Sequence, residues 1–461
     1  MSFRNLVFLL LLLASGCASR THVTSEYKDR VYSAPVEGKS QTTIVFLVDG
    51  LSLTTLQREI DRNGIPNLEK FFLPNKNKVP NVARTTFPSL TFPAIGSLLT
   101  ERPVNKNGIY GNTVLGEKEN INYEDPVNFS EVNNKIAGKN IFSRLRAKGL
   151  RSVSLDYVFQ ADSDSHISKA DSKAGFAVYS NDDIYVDQKI IDGLYSLLTD
   201  VPPTEWPDFI FVHLIGLDFK SHREGPNSLN VGKHLKFIDR ELGKVFKVLA
   251  KAEKEKSRHI VSFLTSDHGF DQPIEQTMDL EIFLKQQDKK FFVLNEGRFA
   301  GIYFPTEWDE AKRFALLKLL ENNPAVDVVA ARMGETVAVR TAKIKTTLFY
   351  SIGSCLYGDF KISVAEAGML GSPWICPEQM DVATDSKIHP FLFSNLSYYF
   401  QAPDGPDAVI IPKPGISLKY SRGGQHGGPT ARETLVPLLM HNADLAQPQQ
   451  IPALWDLLKG L

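Results

Sequence analysis

Three apolar segments of the chain end in an aspartate, a residue whose carboxylate can bind a divalent cation. The segments are TTIVFLVD, DFIFVHLIGLD and HIVSFLTSD, and their last residues are Asp49, Asp218 and Asp267. Each run is short and rich in β-branched and aromatic residues, which predicts a buried strand. One aspartate after a strand is usually a turn residue or a helix cap. Three of them, at the ends of parallel strands, would place three carboxylates along one edge of a sheet.

Histidines near these aspartates extend the candidate site. His222 follows Asp218 by four residues, so both side chains could reach one divalent ion, and His268 is adjacent to Asp267 in TSDHGF. In GGQHGGPT, glycines on both sides of His426 permit close approach of the backbone. Each residue taken alone is more simply structural. Together they offer what a two-metal site requires, about three protein ligands for each ion with a position left for substrate or nucleophile.

The segment PSLTFPAIGSLLTERP, residues 88–103, predicts a helix whose first turn contains Thr91. A threonine at this point can cap the helix through its hydroxyl group. Alternatively, it can be a nucleophile placed where the N-terminal amides of the helix attract anionic groups. Thr86, in a second Thr-Phe-Pro sequence, and Ser89 offer further hydroxyl groups nearby.

Strand and helix patterns alternate along much of the chain. The segments TTLQREIDRNG, PNLEKFF and DDIYVDQKIIDGLYSLLTD predict helices, RSVSLDY predicts a strand, and a long helix is expected at about residues 230–256. This alternation indicates βαβ units and a parallel sheet, in which ligands bind beyond the carboxyl ends of the strands. Between about residues 270 and 425 the pattern changes and predicts a smaller β-α-β insertion.

The ordered set of VDG, TFP, an Asp and His four apart, SDHG and a late HGG resembles the alkaline phosphatase superfamily. Within it, the chain is similar to the nucleotide pyrophosphatase/phosphodiesterase branch, or type I phosphodiesterases, over residues 42–270 and 415–440. The segment TFPAIGSLLTERPVNKNGIYGN keeps the branch's spacing without gaps, which favours Thr91 over Thr86 and Ser89 as the nucleophile. The resemblance implies an α/β fold: a three-layer αβα sandwich with a central, mostly parallel sheet and an inserted smaller α+β subdomain.

The resemblance also implies two divalent metal ions, with zinc expected, although Asp and His ligands alone do not select zinc against manganese. One ion would be bound by Asp49, Thr91, Asp267 and His268, and the other by Asp218, His222 and His426. Metal coordination would let Thr91 attack phosphorus as an alkoxide, and hydrolysis of the resulting phospho-threonine would complete the reaction. The expected activity is hydrolysis of phosphodiester or pyrophosphate bonds.

Two residues close to Thr91 affect the expected specificity. The family places an asparagine that binds a phosphoryl oxygen three residues after the nucleophile, whereas this chain has Ala94 and lacks that donor. Phe92 matches a family phenylalanine that stacks on the substrate, and it could equally be a core aromatic residue. Phosphomonoesterase, phosphonate hydrolase and an inactive exported binding protein remain alternatives. A sulfatase is disfavoured because Thr91 cannot yield formylglycine and Ile95 replaces the required arginine, and a cytosolic mutase is disfavoured by the expected export.

The N-terminus MSFRNLVFLLLLLASGC contains one basic residue, an apolar stretch too short to span a membrane, and small residues that end at Cys17. It resembles a bacterial lipoprotein signal, which implies export and a lipid anchor on Cys17, at the outer membrane facing the periplasm. In that oxidising compartment Cys355 and Cys376 could form a disulfide or remain unpaired.

The composition limits the class of partner. With 52 basic and 53 acidic residues and no basic stripe, nucleic-acid binding is not expected. The expected partner is a small phosphoester: a nucleotide, a glycerophosphodiester or a lipid head group. The predicted organisation is a signal peptide (1–17), a flexible tether (18–40), a catalytic core (41–270), an α+β insertion (271–405) and a segment completing the core (406–461). The sequence does not predict the oligomeric state.

Overall fold

A computed structural model describes most of the chain after the predicted tether. The described residues are 41–74, 79–116, 120–166, 182–287, 292–333, 336–341, 348–351, 388–402, 404–421, 423–443 and 451–459. Cys17, Cys355 and Cys376 lie outside these ranges, so the lipid anchor and the disulfide stay predictions. None of the helices in these ranges combines the length and the hydropathy that a membrane span requires.

Two large sheets contain most of the strands. In chain order the strands are β1 (Gln41–Val48), β2 (Asn81–Arg84), β3 (Thr113–Val114), β4 (Ile121–Asn122), β5 (Ser152–Leu155), β6 (Ser165–His166), β7 (Phe209–Leu214), β8 (His259–Thr265), β9 (Gln276–Thr277), β10 (Phe292–Asn295), β11 (Ala300–Tyr303), β12 (Val326–Met333), β13 (Thr336–Thr341), β14 (Leu348–Ser351), β15 (Ala408–Pro412), β16 (Ile416–Ser417) and β17 (Leu435–His441).

Most of the helices pack on one or the other face of the first sheet. They are α1 (Leu53–Asp61), α2 (Pro66–Phe72), α3 (Thr91–Thr100), α4 (Val104–Asn107), α5 (Phe129–Ile136), α6 (Ile141–Ala147), α7 (Asp183–Asp200), α8 (Gly216–Glu224), α9 (Leu229–Lys254), α10 (Leu280–Lys285), α11 (Glu310–Glu321), α12 (Leu392–Phe400) and α13 (Ala431–Thr434).

The central sheet has the strand order β2-β17-β8-β1-β7-β5-β6. β1 lies between β7 and β8 and is parallel to both. β17 is antiparallel to β2 and β8. The predicted mostly parallel sheet is therefore confirmed, with one antiparallel strand inside it.

Side chains of β1 alternate between two hydrophobic cores. Val45 and Leu47 pack in the core that contains α3, α5, α6 and α12. Ile44, Phe46 and Val48 pack on the opposite face with α1, α2, α7 and α9. Burial of each large aliphatic or aromatic side chain contributes roughly 1.5–3 kcal/mol, so both helical layers are held to the sheet. The predicted three-layer αβα architecture is confirmed.

The second sheet is antiparallel and has the strand order β10-β11-β15-β12-β13-β14. On one of its faces, Val328 and Val409 pack in the same hydrophobic core as Val45 and Leu47 of β1. On the other face, Val329 and Ile410 pack with α11 in a separate core. β15 pairs with β11 and β12, so this sheet extends past the predicted boundary at residue 405.

Candidate metal centre and active site

The sheet brings the strand-end aspartates together. Asp49 directly follows β1, and Asp267 lies two residues after the end of β8. The register pairs Val48 with Leu214 of β7, and the amide of Asp49 donates to the Leu214 carbonyl. The chain therefore leaves β1, β7 and β8 at one edge of the sheet, as the sequence predicted.

The placement of Asp218 at a strand end was wrong. β7 ends at Leu214, and Asp218 lies in the first turn of α8, with His222 one turn later on the same helix. The helix begins immediately beyond the sheet because the Gly216 amide donates to the buried Asp187 carboxylate, 2.9 Å away. Its first turn therefore lies at the same sheet edge.

Three side chains converge around the imidazole of His268, and together with it they form what we call the Thr91 group: Asp49, Thr91, Asp267 and His268. His268 Nε2 is 3.2 Å from Thr91 Oγ1, 3.1 Å from Asp267 Oδ2 and 3.5 Å from Asp49 Oδ1. Both carboxylate oxygens are buried and have no hydrogen-bond partner among the described residues. The other Asp267 oxygen, Oδ1, accepts from the Gly50 amide at 3.1 Å. Unpartnered buried oxygens of this kind fit a cation.

The remaining three predicted ligands form the His426 group: Asp218, His222 and His426. His222 Nε2 lies 2.9 Å from His426 Nε2 and 3.4 Å from Asp218 Oδ2. Asp218 Oδ1, 3.7 Å from His426 Nε2, is buried and has no partner in the described ranges. The rings of His268 and His426 stack with their centroids 3.5 Å apart, so the two groups adjoin. His268 offers a ligand atom to both.

The tautomers of the three histidines are set by the backbone. Each Nδ1 atom lies 3.0–3.1 Å from a carbonyl oxygen, which can only accept a hydrogen bond. The pairs are His222 with Gly424, His268 with Gly269, and His426 with Ser89. Each Nδ1 therefore carries the proton, and each Nε2 directs a lone pair into the centre. This orientation is the one that metal-binding histidines adopt.

Burial shifts the pKa values of the candidate ligands. Burial, followed by the neighbouring Asp267 carboxylate, raises the pKa of Asp49 well above its ordinary value. Burial, followed by Asp49, also raises the pKa of Asp218. Burial, followed by His268, lowers the pKa of His222 to about 4, so this imidazole is neutral at pH 7. Clustered carboxylates and neutral imidazoles of this kind favour a divalent cation, whose charge offsets the cost of burying ionised carboxylates.

Thr91 is the first residue of α3 and does not cap it. The cap position is Leu90, which makes no side-chain hydrogen bond, whereas the Thr91 hydroxyl contacts His268. Thr86 is buried, and the buried Ser89 hydroxyl donates to the Gly428 carbonyl at 2.7 Å. Among the three predicted hydroxyls, Thr91 is the one that the structure shows in contact with a candidate metal ligand.

Phe92 and Ala94 are both buried. The Phe92 side chain is 5 % exposed, and its ring centroid lies 5.6 Å from those of Tyr123 and Phe159. These contacts are those of a core aromatic residue, and a substrate-stacking role for Phe92 stays a prediction. The Ala94 amide donates to the carbonyl of Leu90, the residue that precedes α3.

Sequence reasoning missed a polar pair beside α3. Asn112 Oδ1 accepts from the Phe92 amide at 3.1 Å, and its Nδ2 donates to Glu124 at 2.9 Å. In the sequence, Asn112 is simply the last residue of the segment TFPAIGSLLTERPVNKNGIYGN, which keeps the family spacing. Its amide lies at the first turn of α3 because residues 101–111 return the chain to that turn, a path that no local pattern indicates.

The loop that contains His426 is fixed by close backbone packing. A Cβ atom on Gly423 would lie 2.1 Å from the His222 carbonyl oxygen, and Gly427 has a φ of +116°. These glycines therefore provide the close approach that the sequence predicted. The Gly428 amide donates to Glu433, and buried Arg298 lies 3.5 Å from the same carboxylate.

Comparison with known proteins places the chain in a family. The sequence matches the profile described as "Type I phosphodiesterase / nucleotide pyrophosphatase" over residues 43–434. The chain therefore belongs to that family and is a phosphoric ester hydrolase. No curated protein matches the sequence significantly.

Solved structures of similar fold come from a bacterium and from mouse. One is phosphonoacetate hydrolase from Sinorhizobium meliloti 1021 in complex with phosphonoacetate. It is 15% identical, with a TM-score of 0.56, and the match covers 93% of this chain and 97% of that one. Another is an inactive murine ectonucleotide pyrophosphatase/phosphodiesterase 5 in complex with AMP. It is 14% identical, with a TM-score of 0.56, and the match covers 87% and 88% of the two chains. At these identities the similarity shows the fold alone.

Proposed function

We propose that the protein hydrolyses phosphodiester or pyrophosphate bonds, with Thr91 as the nucleophile and two divalent ions, zinc by expectation, as cofactors. The observation that carries this proposal is the 3.2 Å contact between Thr91 Oγ1 and His268 Nε2, beside carboxylate oxygens that have no hydrogen-bond partner in the described ranges. The Thr91 group would hold one ion and the His426 group the other. Bound there, the ions would supply Lewis-acid stabilisation of the entering and leaving oxygens.

The chain's own residues would bind and orient the phosphoryl group. Thr91 lies at the N-terminus of the ten-residue helix α3, whose partial positive charge favours an anionic phosphoryl group. Attack by Thr91 Oγ1 on phosphorus, with loss of the hydroxyl proton to solvent, breaks the bond to the leaving group and forms a phospho-threonine. Water then hydrolyses the phospho-threonine, which restores the Thr91 hydroxyl and releases the phosphoryl product. Asn112 Nδ2 has a second hydrogen besides the one donated to Glu124. We infer that it supplies the phosphoryl donor that Ala94 lacks.

A substrate panel with the purified protein tests the activity. Hydrolysis of p-nitrophenyl thymidine 5′-monophosphate should exceed that of p-nitrophenyl phosphate and of phosphonoacetate. The reverse order would favour the monoesterase or phosphonate hydrolase alternative. If neither ester is turned over while metal is bound, the inactive binding protein is favoured.

Variants of the hydroxyl residues test the nucleophile. Thr91→Ala should keep its bound metal and lose at least roughly 10³-fold in kcat, as removal of a nucleophile does in other hydrolases. Thr86→Ala is the matched control, since it removes a buried hydroxyl from the other Thr-Phe-Pro sequence and should keep turnover. Near-normal rates for Thr91→Ala would refute the assignment.

We also propose that the enzyme is exported and anchored through lipid on Cys17, at the outer membrane facing the periplasm. The signal-like N-terminus and the polar residues 18–40 support this location. Cells that express the full chain should incorporate labelled fatty acid into the protein, and Cys17→Ala should abolish the label and release the protein from membranes. An unchanged membrane fraction for Cys17→Ala would contradict the proposal.

A further inference from the structure

A buried histidine outside the two ligand groups connects a candidate metal ligand to a second carboxylate. His213 lies in β7, paired in register with Leu47 of β1. Its Nε2 is 2.9 Å from Asp49 Oδ2, and its Nδ1 is 2.9 Å from Asp156 Oδ2. All three side chains are buried. The proposed reaction does not itself use His213 or Asp156.

Asp156 is held rigidly by the backbone that follows β5. Its Oδ1 accepts from the amides of Val158 and Phe159, at 2.6 and 3.1 Å. Its Oδ2 is therefore fixed in direction and accepts from His213 Nδ1. With the ring fixed in this way, Nε2 donates along one direction, towards Asp49.

The two oxygens of Asp49 are consequently distinct. Oδ2 accepts from His213, whereas Oδ1 has no partner among the described residues and faces His268 at 3.5 Å. A carboxylate constrained in this way presents one oxygen to a cation and cannot rotate to present both. Removal of a hydrogen bond to a metal-binding residue typically weakens metal binding by about 10–100-fold.

We propose that His213, held in place by Asp156, is a positioning residue that orients Asp49 as a one-oxygen ligand of the ion in the Thr91 group. The inference rests on the proposed metal site. The orientation of Asp49 fixes the ion relative to Thr91 Oγ1, and hence the position at which the hydroxyl is activated. An ordinary buried ion pair in the same place would affect stability without changing metal binding.

Two amide substitutions of equal polarity separate these roles in the full-length protein. The amide nitrogen of glutamine reproduces Nε2 of histidine, so His213→Gln keeps the donor to Asp49. The amide nitrogen of asparagine reproduces Nδ1, so His213→Asn keeps the contact with Asp156 and loses the donor to Asp49. Each metal-stripped protein is titrated with Zn²⁺ alone against a competing chelator, and affinity and stoichiometry are measured.

For His213→Asn, one of the two ions should bind about 10–100-fold more weakly and the other should be unaffected. His213→Gln should bind both ions within about threefold of the wild-type affinity, because its hydrogen bond to Asp49 is kept. The control is His389→Asn, which breaks a partly buried His–Asp contact of 2.7 Å between His389 and Asp327 of β12. It should bind both ions normally.

The inference is overturned if His213→Asn binds both ions with wild-type affinity, or if the Gln and Asn variants are weakened equally. If His213→Asn does not fold, Asp156→Ala carries the test, since it frees the ring and should weaken one ion by about tenfold. Wild-type affinity for both ions in Asp156→Ala would then overturn it. Failure of the proposed function is a separate result, in which the wild-type protein itself does not bind two ions or does not turn over substrate.

Discussion

Substitution of Ser89 by alanine tests how the loop that carries His426 is held. Ser89 is fully buried, and its hydroxyl accepts from the Gly427 amide at 3.2 Å while it donates to the Gly428 carbonyl at 2.7 Å. The backbone of Ser89 is unchanged by the substitution, so its carbonyl oxygen can still accept from His426 Nδ1. Ser89→Ala therefore removes the side-chain attachment of the loop and leaves the metal-ligand contact in place.

The cost follows from the two backbone groups that lose their partner. A buried donor or acceptor left without a hydrogen bond costs about 1–3 kcal/mol. With some relaxation of the loop, the Gly427 amide and the Gly428 carbonyl together should lower the free energy of unfolding by about 2–4 kcal/mol. Turnover by the folded variant should be retained, because the hydroxyl of Ser89 faces the loop and the proposed nucleophile is Thr91.

Urea unfolding of the metal-stripped protein measures this change through the midpoint and slope of the transition. Ser262→Ala in β8 is the matched control. The Ser262 hydroxyl is also buried but has no hydrogen-bond partner in the described part of the chain, so its removal should leave stability unchanged or raise it. Equal stability losses in both variants would refute the reasoning. Loss of turnover by Ser89→Ala at unchanged stability would instead identify Ser89 as the nucleophile.

Two further predictions concern metal binding. Metal affinity should fall as the pH is lowered, because burial raises the pKa of Asp49 and protons then compete with the metal for its carboxylate. At His222, protons compete with the metal only at lower pH, because burial lowers the pKa of this imidazole to about 4. A metal affinity that does not change with pH in calorimetry would contradict this prediction. Gly423→Ala should lose one bound ion and most turnover, since its Cβ would lie 2.1 Å from the His222 carbonyl. Gly405→Ala, whose Cβ would lie 3.3 Å from the Ala402 carbonyl oxygen, should keep both ions in elemental analysis.

The central strands and their common edge could be predicted from local sequence. β1, β7 and β8 are continuous apolar runs, which is typical of parallel strands buried on both faces. Because parallel strands end at one edge, the positions of Asp49 and Asp267 followed directly. The long helix predicted at about residues 230–256 is likewise observed as α9, which buries a stripe of apolar residues. Its members are Val231, Leu235, Ile238, Leu242, Val245 and Leu249.

Long-range pairing could not be predicted in the same way. β17 lies between β2 and β8 although Pro437 interrupts its apolar run, and proline normally argues against a central strand. β15 joins the second sheet through pairing with β11 and β12, and nothing within its own five residues indicates those partners. Local periodicity specifies that a segment is a strand, whereas its neighbours depend on the packing of the whole chain.

Within the site, residues that bind were easier to recognise than residues that orient. Asp218 and His222 were recognised by their spacing, although the helix that carries them was not. His213 lies inside an apolar strand and resembles an ordinary core histidine in sequence. Its contacts with Asp49 and Asp156 exist only because β5, β7 and β1 are neighbours in the sheet.

The order of the ligands along the chain has a consequence for synthesis. All four residues of the Thr91 group have been synthesised once the chain reaches residue 268. The strands that precede Asp49 and Asp267, β1 and β8, can then pair. The His426 group lacks one ligand until the whole antiparallel sheet has been synthesised, and His426 lies 204 residues after its neighbour His222. A nascent or C-terminally truncated chain should therefore bind one ion, and the second ion should bind only after the antiparallel sheet has been made and the chain has returned to the core. The number of bound ions would therefore distinguish a chain that has folded completely from one that lacks the antiparallel sheet and the segment after it.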